Sequence, residues 1–321
     1  MKEVKVASIQ FEHKDGDKAS NMKKIEEFVI AASKENVDII VFPECCVTGY
    51  WFLRKLSKEE LLALAENLSN SETSRELLAL SKTYNMTIGV GLLEVDDDNN
   101  IYNTYLVAMP DGRVESHRKL HCFVSEHMSS GDEYTVFDTP QGCKLGVLVC
   151  YDNNIIENAR MTALNGADII LAPHQTGGCK TDDPNKMGII ETQLWENREN
   201  DPESIEREFK GDKGRGWLLR WLPSRAHDNG VFYIFSNGVG KDDDEIRTGN
   251  AMILDTYGRI LSETWKACDA MVISTLDPKL REHNTGRRWM TARRPSLYGP
   301  LAESTSNEVD IRTARFSGKG A

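Results

Sequence analysis

Nine short runs of apolar and β-branched residues recur along this 321-residue chain, each bounded by polar or turn residues. Runs of this length and composition predict β-strands. Between them, apolar residues at helical spacing form stripes over residues 22–32 and 155–163. Strands that alternate with helices predict an α/β fold. The predicted strands are Val4–Gln10, Val37–Phe42, Thr87–Glu94, Ile101–Ala108, Lys144–Cys150, Asp168–Ala172, Val231–Ser236, Ala251–Asp255 and Ala270–Thr275.

Two stretches of the chain resemble each other. A helical pattern followed by VDIIVFPECCVTGY at residues 37–50 is matched by a second helical pattern followed by ADIILAPHQTGG at residues 167–178. Each places a short apolar strand before a proline and a loop. This likeness predicts two similar halves, with two sheet layers between layers of helices.

We assign residues 1–278 to one domain. The charged segment at about 180–215 interrupts the pattern, so we expect a partly helical surface insertion near the functional site. Trp195, Trp217 and Trp221 lie in or near it and either wall a pocket or pack within an amphipathic segment. The tail, residues 279–321, is expected to pack across a partner subunit or to fray.

Charge and hydropathy exclude several classes of partner. A net charge of -11 argues against nucleic acid, because binders of the phosphate backbone need clustered Lys and Arg in excess. No apolar stretch approaches the roughly 20 residues that span a bilayer, and the first residues lack the apolar core of a signal peptide. We therefore expect a cytoplasmic protein without a membrane partner. Seven cysteines with no C-x-x-C pair predict reduced thiols.

Cys150 ends a predicted strand directly before Tyr151-Asp152-Asn153-Asn154, a group that predicts a helix N-cap. The positive end of a helix favours the thiolate, which is the reactive form, so this position suits a nucleophile. Taken alone it suits an inert core cysteine even better, since free cysteines commonly act as small buried hydrophobes.

Two charged residues are further candidates. Glu44 follows an apolar strand and Pro43, where a carboxylate is costly unless it is paired or protonated. It is either functional or part of a salt bridge just beyond the strand. Lys119 follows a short predicted strand, Arg113–Glu115, and either stabilises an oxyanion or belongs to a solvated basic stretch.

Three segments, VFPECCVTGY, HRKLHCFVSEHMSSGDEYTVFDTP and LGVLVCYDNN, occur in this order and together resemble the nitrilase, or carbon-nitrogen hydrolase, superfamily. The later segments SRAHDNGVFYIFSNGVG and TGNAMILDTYGRIL fit the same family. The resemblance covers most of residues 3–275 and fades in the insertion and the tail. It implies a four-layer α-β-β-α sandwich that commonly dimerises through helices beside the site, with no metal or organic cofactor.

The resemblance also implies a Glu-Lys-Cys triad formed by Glu44, Lys119 and Cys150. In the expected mechanism Glu44 takes the proton of Cys150, and the thiolate attacks the carbon of a carbon–nitrogen bond. Lys119 and the backbone N–H of Tyr151 then stabilise the oxyanion.

Other site residues are expected beside the triad. The family carries a second glutamate after the lysine motif, a place that Glu126 takes here, with Glu133 as a competitor. Glu126 would position Lys119 or the substrate nitrogen. The candidate substrate-binding residues are Tyr50, Tyr151, Asn153 and His174, of which His174 either contacts substrate or supports a residue that does.

The residues after the nucleophile favour an amide substrate. In this family Cys-Trp-Glu is usual in nitrilases and Cys-Tyr-Asp is frequent in amidase-like members; this chain has Cys150-Tyr151-Asp152. Hydrolases of N-carbamoyl amino acids tend to carry an arginine shortly after the cysteine. Asn153 and Asn154 stand there instead and cannot form a bidentate carboxylate clamp, unless Arg220 or Arg225 supplies one from elsewhere.

We therefore expect hydrolysis of a small amide through a cysteine thioester by a homodimer or larger homo-oligomer. The alternatives are a nitrilase that converts a nitrile to an acid, an N-carbamoyl amide hydrolase, and a catalytically silent scaffold that binds a partner protein.

Overall fold

The computed structural model describes residues 1–316, which contain fourteen strands and eleven α-helices. No helix in this range is long and apolar enough to cross a membrane. The strands are β1 (Val4–Phe11), β2 (Ile39–Val41), β3 (Thr87–Val95), β4 (Ile101–Ala108), β5 (Val114–Arg118), β6 (Met128–Ser129), β7 (Val136–Asp138), β8 (Lys144–Val147), β9 (Ile169–His174), β10 (Phe232–Asp242), β11 (Glu245–Thr248), β12 (Met252–Leu254), β13 (Ile260–Glu263) and β14 (Ala270–Leu276). The helices are α1 (Lys18–Lys34), α2 (Lys58–Leu64), α3 (Glu72–Tyr84), α4 (Ile156–Leu164), α5 (Thr192–Glu196), α6 (Pro202–Lys210), α7 (Arg215–Leu218), α8 (Leu222–Asn229), α9 (Lys279–Glu282), α10 (Thr285–Thr291) and α11 (Ile311–Phe316).

The described strands form one hydrogen-bonded sheet that joins the two similar halves. Its main path runs β5-β4-β3-β2-β1-β10-β9-β8-β7, and the remaining strands pair at its margins. β1 lies in the middle, parallel to both β2 and β10. In the second half β9 runs parallel to β10, as β2 does to β1 in the first. The loops that follow β2, β8 and β9 therefore leave the sheet at the same edge.

Three hydrophobic clusters define the layers. Apolar side chains of the two halves pack against each other in one cluster, in which Val41 and Val107 of the first half join Leu145 and Ile169 of the second. Helices α1 and α3 cover the outer face of the first half. Helices α4 and α8 cover that of the second. This is the four-layer α-β-β-α order predicted from the sequence.

All nine predicted strands are present, with differences at their ends. The strand predicted for Lys144–Cys150 stops at Val147, because the chain then enters a 3-10 turn at Cys150–Asn153. The strand predicted for Val231–Ser236 continues to Asp242 and forms a hairpin with β11.

The insertion and the described part of the tail, residues 279–316, pack against the rest of the chain. Trp195 of α5 and Phe209 of α6 pack with Val239 and Ile246 of the β10–β11 hairpin, so the insertion has a small apolar core of its own. In the tail, α11 turns back onto the chain's own loop around Ser125. Packing of the tail across a partner subunit stays a prediction.

Gly91 of β3 lies directly beneath the loop that carries Glu44. A Cβ atom at this position would collide with the backbone of Glu44 and Cys45. The carbonyl of Gly91 also accepts a hydrogen bond from the N–H of Val47 at 3.0 Å, so the strand cannot move away freely.

We expect Gly91→Ala to lower the free energy of unfolding by about 1–3 kcal/mol, the usual effect of overpacking. Gly299→Ala is the matched control, since nothing lies within 4 Å of a Cβ there. Urea denaturation measures both, and equal stability of the two variants would contradict the packing described here.

Candidate active site

Cys150 stands at a strained turn. Its φ is 50°, and it begins the 3-10 turn Cys150–Asn153, while α4 starts only at Ile156. A positive φ is uncommon outside glycine and costs about 1–3 kcal/mol, and residues held in this way cluster at functional sites. Cys150 lines a cavity on one side and packs against the central apolar cluster on the other.

The carboxylate of Asp152 ties this turn to the lysine segment. Its Oδ2 accepts from the backbone N–H groups of Val149 and Leu120, both at 3.1 Å, and its Oδ1 accepts from the N–H of His121 at 2.8 Å. His121 Nδ1 lies 3.0 Å from the same Oδ1. Burial raises the pKa of Asp152, but the neighbouring His117, 3.9 Å away, and His121 together with the charge of Lys119 lower it to below its usual range. Asp152 therefore clamps two loops together, and its bond from Val149 also closes the start of the 3-10 turn. The N-cap of α4 lies at Ile155, one residue beyond the group that predicted it.

Asn153 is buried behind the turn and does not line the cavity. Its Nδ2 donates to the carbonyls of Leu148 at 2.7 Å and Cys150 at 3.1 Å, and its Oδ1 accepts from the hydroxyl of Tyr233 at 2.9 Å. The structure therefore does not place Asn153 where a substrate can reach it. Its Nδ2 also lies 3.1 Å from His174 Nε2, so four protein groups contact the polar atoms of Asn153, and its amide braces the Cys150 turn.

The two arginines considered as carboxylate clamps are also occupied elsewhere. Arg225 donates to the carbonyls of Asn153 and Asn154, both at 2.9 Å. Arg220 lies 3.3 Å from the carboxylate of Asp212. Neither lines the cavity. Neither arginine therefore supplies the carboxylate clamp that is missing directly after Cys150.

A buried ion pair lies beside the cysteine. Glu44 and Lys119 are 0% and 1% exposed, and Lys119 Nζ is 2.6 Å from Glu44 Oε1. Asn103 Nδ2 donates to the same oxygen at 2.6 Å. Glu44 Oε2 has no hydrogen-bond partner among the residues that the structure describes. Burial lowers the pKa of Lys119, but the negative charges around it, that of Glu44 first, together raise it well above its usual value, so the amine stays charged.

Cys150 is a thiol in the free protein. One side of Cys150 faces the cavity, but the loss of surrounding water still raises its pKa, and the charge of Glu44 raises it further. Lys119 opposes this shift only in part, and the pKa of Cys150 is about 12. The thiolate that a helix N-terminus would favour is therefore disfavoured in the free protein. The carboxylate of Glu44 is close, and α4 starts at Ile156, six residues after Cys150.

The cavity above Cys150 has a volume of about 380 Å³. Of the predicted substrate-binding residues, Tyr50, Tyr151 and His174 line it together with Cys150. The hydroxyl of Tyr50 is buried and has no hydrogen-bond partner within residues 1–316. Aromatic side chains form much of the remaining wall: Trp51, Phe123, Trp217 and Trp221. Trp195 packs inside the insertion instead.

His174 is a neutral hydrogen-bonding group of this wall. Burial lowers its pKa well below the usual value, and the positive charge of Lys119 lowers it further. Its Nδ1 lies 3.0 Å from Thr176 Oγ1 and its Nε2 lies 3.1 Å from Asn153 Nδ2. The ring also stacks on Trp221, with centroids 5.9 Å apart.

A model of the carbon-nitrogen hydrolase family matches residues 5–283. The chain belongs to this family. It is 27% identical over 311 residues to an (R)-stereoselective amidase of Pseudomonas sp., covering 96% of this chain and 98% of the relative. An omega-amidase of Saccharomyces cerevisiae is 30% identical over 299 residues, covering 87% of this chain and 89% of the relative. The fold is similar to that of an amidase mutant from Nesterenkonia sp. AN1, which was solved with the acetamide moiety of fluoroacetamide on its active-site cysteine. The TM-score is 0.67 at 19% sequence identity, and the match covers 92% of this chain and 95% of that chain.

Glu126, the predicted second glutamate, does not reach the ion pair. Its side chain is exposed, because the apolar side chains of Phe123, Val124 and Met128 turn inward and leave it facing solvent. The competitor Glu133 is exposed as well. The structure therefore places neither glutamate where it could position Lys119.

Three site residues were missed by the sequence reasoning. Asn103 is a polar residue inside the apolar run of β4, and that interruption is a signal for a buried partner. Arg247 of β11 is buried and lines the cavity, where its guanidinium carbon lies 5.5 Å from the ring centre of Tyr50. Arg315 of α11 also lines the cavity. The last two lie in segments without any pattern that indicates a site.

We expect Asp152→Asn to lower the free energy of unfolding at neutral pH by about 2–4 kcal/mol, because a neutral amide would face N–H donors with its own N–H₂ group. The folded-state pKa of Asp152 is depressed below its ordinary value of 3.8. The carboxylate therefore stabilises the fold fully above pH 3.8, and this stabilisation is lost as the pH falls through the folded-state pKa.

Urea denaturation of both proteins across pH tests this linkage, and the stability difference should narrow as the solution becomes more acidic. Asp98→Asn, at an exposed carboxylate, is the control and should match the unsubstituted protein. A difference that does not change with pH would contradict the role given to Asp152.

Proposed function

We propose that the protein is an amidase that hydrolyses the carbon–nitrogen bond of a small amide through a thioester on Cys150. The observation that carries the proposal is the buried Glu44–Lys119 pair, 2.6 Å apart, beside a thiol that opens into a cavity. Two full-length relatives named as amidases support the same reaction.

Glu44 is the general base of the first step. Its Oε1 is held by Lys119 and Asn103, whereas Oε2 remains available to take a proton. As the substrate carbonyl approaches, the proton of Cys150 passes to Glu44 and the sulfur attacks the carbonyl carbon. Because the free thiol has a pKa of about 12, this transfer accompanies attack rather than preceding it.

Lys119 stabilises the charge that develops on the substrate oxygen. Its ammonium is held beneath the cavity by Glu44 and does not need to reorganise when the oxyanion forms. The backbone N–H of Tyr151, the first after the nucleophile, is the second donor. Collapse of the tetrahedral intermediate breaks the carbon–nitrogen bond, and Glu44 gives its proton to the leaving ammonia or amine.

Water completes the cycle. Glu44, again a carboxylate, takes a proton from a water molecule that attacks the thioester carbon. The carbon–sulfur bond breaks, the sulfur regains its proton, and a carboxylic acid leaves. The sum is amide plus water to acid plus ammonia or amine, with no cofactor in any step.

A homo-oligomer in the cytoplasm completes the proposal. Ile156, Met161 and Leu164 of α4 are large apolar side chains exposed on one helix beside the Cys150 turn. An exposed apolar surface of this kind supports a helix-to-helix subunit contact next to the site. The cytoplasmic location rests on the sequence.

Cys150→Ala tests the proposed nucleophile. We expect ammonia release from amides to fall at least about 10⁴-fold, because the covalent route is lost. Mass spectrometry of the quenched protein should show an acyl group on Cys150 before the substitution and none after it. Cys268→Ala, at an exposed cysteine outside the cavity, should behave like the unsubstituted protein.

Unchanged thermal unfolding of Cys150→Ala would show that the fold is retained. Undiminished turnover by that variant would disprove the nucleophile assignment. Paired nitriles and amides of the same acyl group separate the amidase from a nitrilase, and a protein that turns over neither and forms no adduct would be a scaffold.

A further inference from the structure

The chain directly after Glu44 is held in a strained conformation. Cys45 has a φ of 45°, a value that residues other than glycine keep only where their surroundings impose it. Two backbone hydrogen bonds fix the chain beyond this point. The carbonyl of Cys45 accepts from the N–H of Gly49 at 2.8 Å, and the N–H of Val47 donates to the carbonyl of Gly91 at 3.0 Å. Neither bond fixes the carbonyl of Glu44, which precedes the strained residue.

The side chain of Gln175 holds that carbonyl. Its Nε2 donates to the carbonyl of Glu44 at 2.7 Å, and the same nitrogen lies 3.4 Å from His13 Nδ1. Gln175 is only 2% exposed, so water cannot replace this hydrogen bond if it is lost. Removal of the donor would leave a buried carbonyl unsatisfied and would free the strained peptide to rotate together with Glu44.

Gln175 is itself fixed from several sides. Its carbonyl accepts from Arg247 Nη1 at 3.0 Å. The next residue, Thr176, donates through its backbone N–H to Asn237 Oδ1 at 2.7 Å. Gly238 lies directly against the amide, since a Cβ atom there would collide with Gln175 Oε1. A side chain that is held in this way can hold the Glu44 segment in place.

Gln175 also contacts Cys150, the proposed nucleophile. The two residues line the same cavity. A hydrogen bond from the backbone N–H of Gln175 lowers the pKa of the Cys150 thiol, although burial and the charge of Glu44 raise it more. One fixed residue therefore contacts Cys150 through its backbone and the Glu44 segment through its side chain.

On the basis of the amidase function proposed above, we propose that Gln175 is a positioning residue that sets the distance between the thiol of Cys150 and the carboxylate of Glu44. Gln175 exchanges no proton in this role. It keeps the carboxylate within hydrogen-bond reach of the thiol proton, which a general base requires. A displacement of about 1 Å in such a site can slow a reaction on the order of 100-fold.

Gln175→Met tests this role, because methionine has a similar length and no N–H group to donate. With straight-chain alkanamides as substrates, we expect kcat to fall about 10- to 100-fold and KM to change less than about 3-fold. The loss appears in kcat because proton transfer is slowed while binding is retained. In a single turnover, the acyl adduct on Cys150 should form more slowly by a similar factor, measured by mass spectrometry of quenched samples.

Gln10→Met is the matched control. Gln10 is also buried, and its Nε2 donates to the carbonyls of Lys266 and Cys268, which lie outside the cavity. This variant should lose a similar amount of stability in urea and keep both kcat and KM. Gly238→Ala leaves the amide of Gln175 intact but displaces it, so it should reproduce the fall in kcat.

An unchanged kcat in Gln175→Met, a loss confined to KM, or an equal fall in kcat in Gln10→Met would overturn the positioning role while leaving the amidase function intact. If the unsubstituted protein turns over none of the alkanamides and forms no adduct on Cys150, the amidase function on which this proposal rests is itself overturned.

Discussion

The buried ion pair of Glu44 and Lys119 is the interaction on which the rest of the site depends. Removing two charges from water is costly, and the cost is recovered only when the geometry is good and the remaining polar atoms are satisfied. The pair therefore needs rigid support from several directions. Asn103 donates to the shared oxygen, and the side chain of Gln175 donates to the carbonyl of Glu44 at 2.7 Å. Gly91 allows β3 to press directly against the Glu44 loop.

The same requirement explains the position of Cys150, the proposed nucleophile. Cys150 and Lys119 lie on different segments, and the carboxylate of Asp152 holds these segments together through backbone N–H groups of both. The strained φ of Cys150 is maintained because Asn153 and Arg225 fix the carbonyls of the turn. A thiol held in this way beside a carboxylate is protonated at rest and ready to lose its proton during attack.

Much of the architecture could be predicted from the sequence because its signals are local. Apolar β-branched runs indicate the strands, and motifs after three of them mark Glu44, Lys119 and Cys150. The predictions that failed concern residues whose contacts are distant in the sequence. Asp152 belongs to the group that predicted a helix N-cap, but its carboxylate also binds the N–H groups of Leu120 and His121 on the lysine segment. Similarly, the exposure of Glu126 follows from the apolar residues around it that turn inward.

Arg315 shows the same limit at the rim of the cavity, since its place depends on two hydrogen bonds from Arg312 to a loop more than 180 residues earlier. No residue pattern in the tail encodes that contact.

The central claim is that Glu44 activates a cysteine that is protonated in the free protein. The pKa of Cys150 tests it most directly, measured as the ultraviolet absorbance of the thiolate in the protein minus that in Cys150→Ser across pH. The account predicts no thiolate from Cys150 at or below its ordinary value of 9, and titration near 12. A titration well below 9 would contradict it, because a thiolate already formed would leave Glu44 no proton to take.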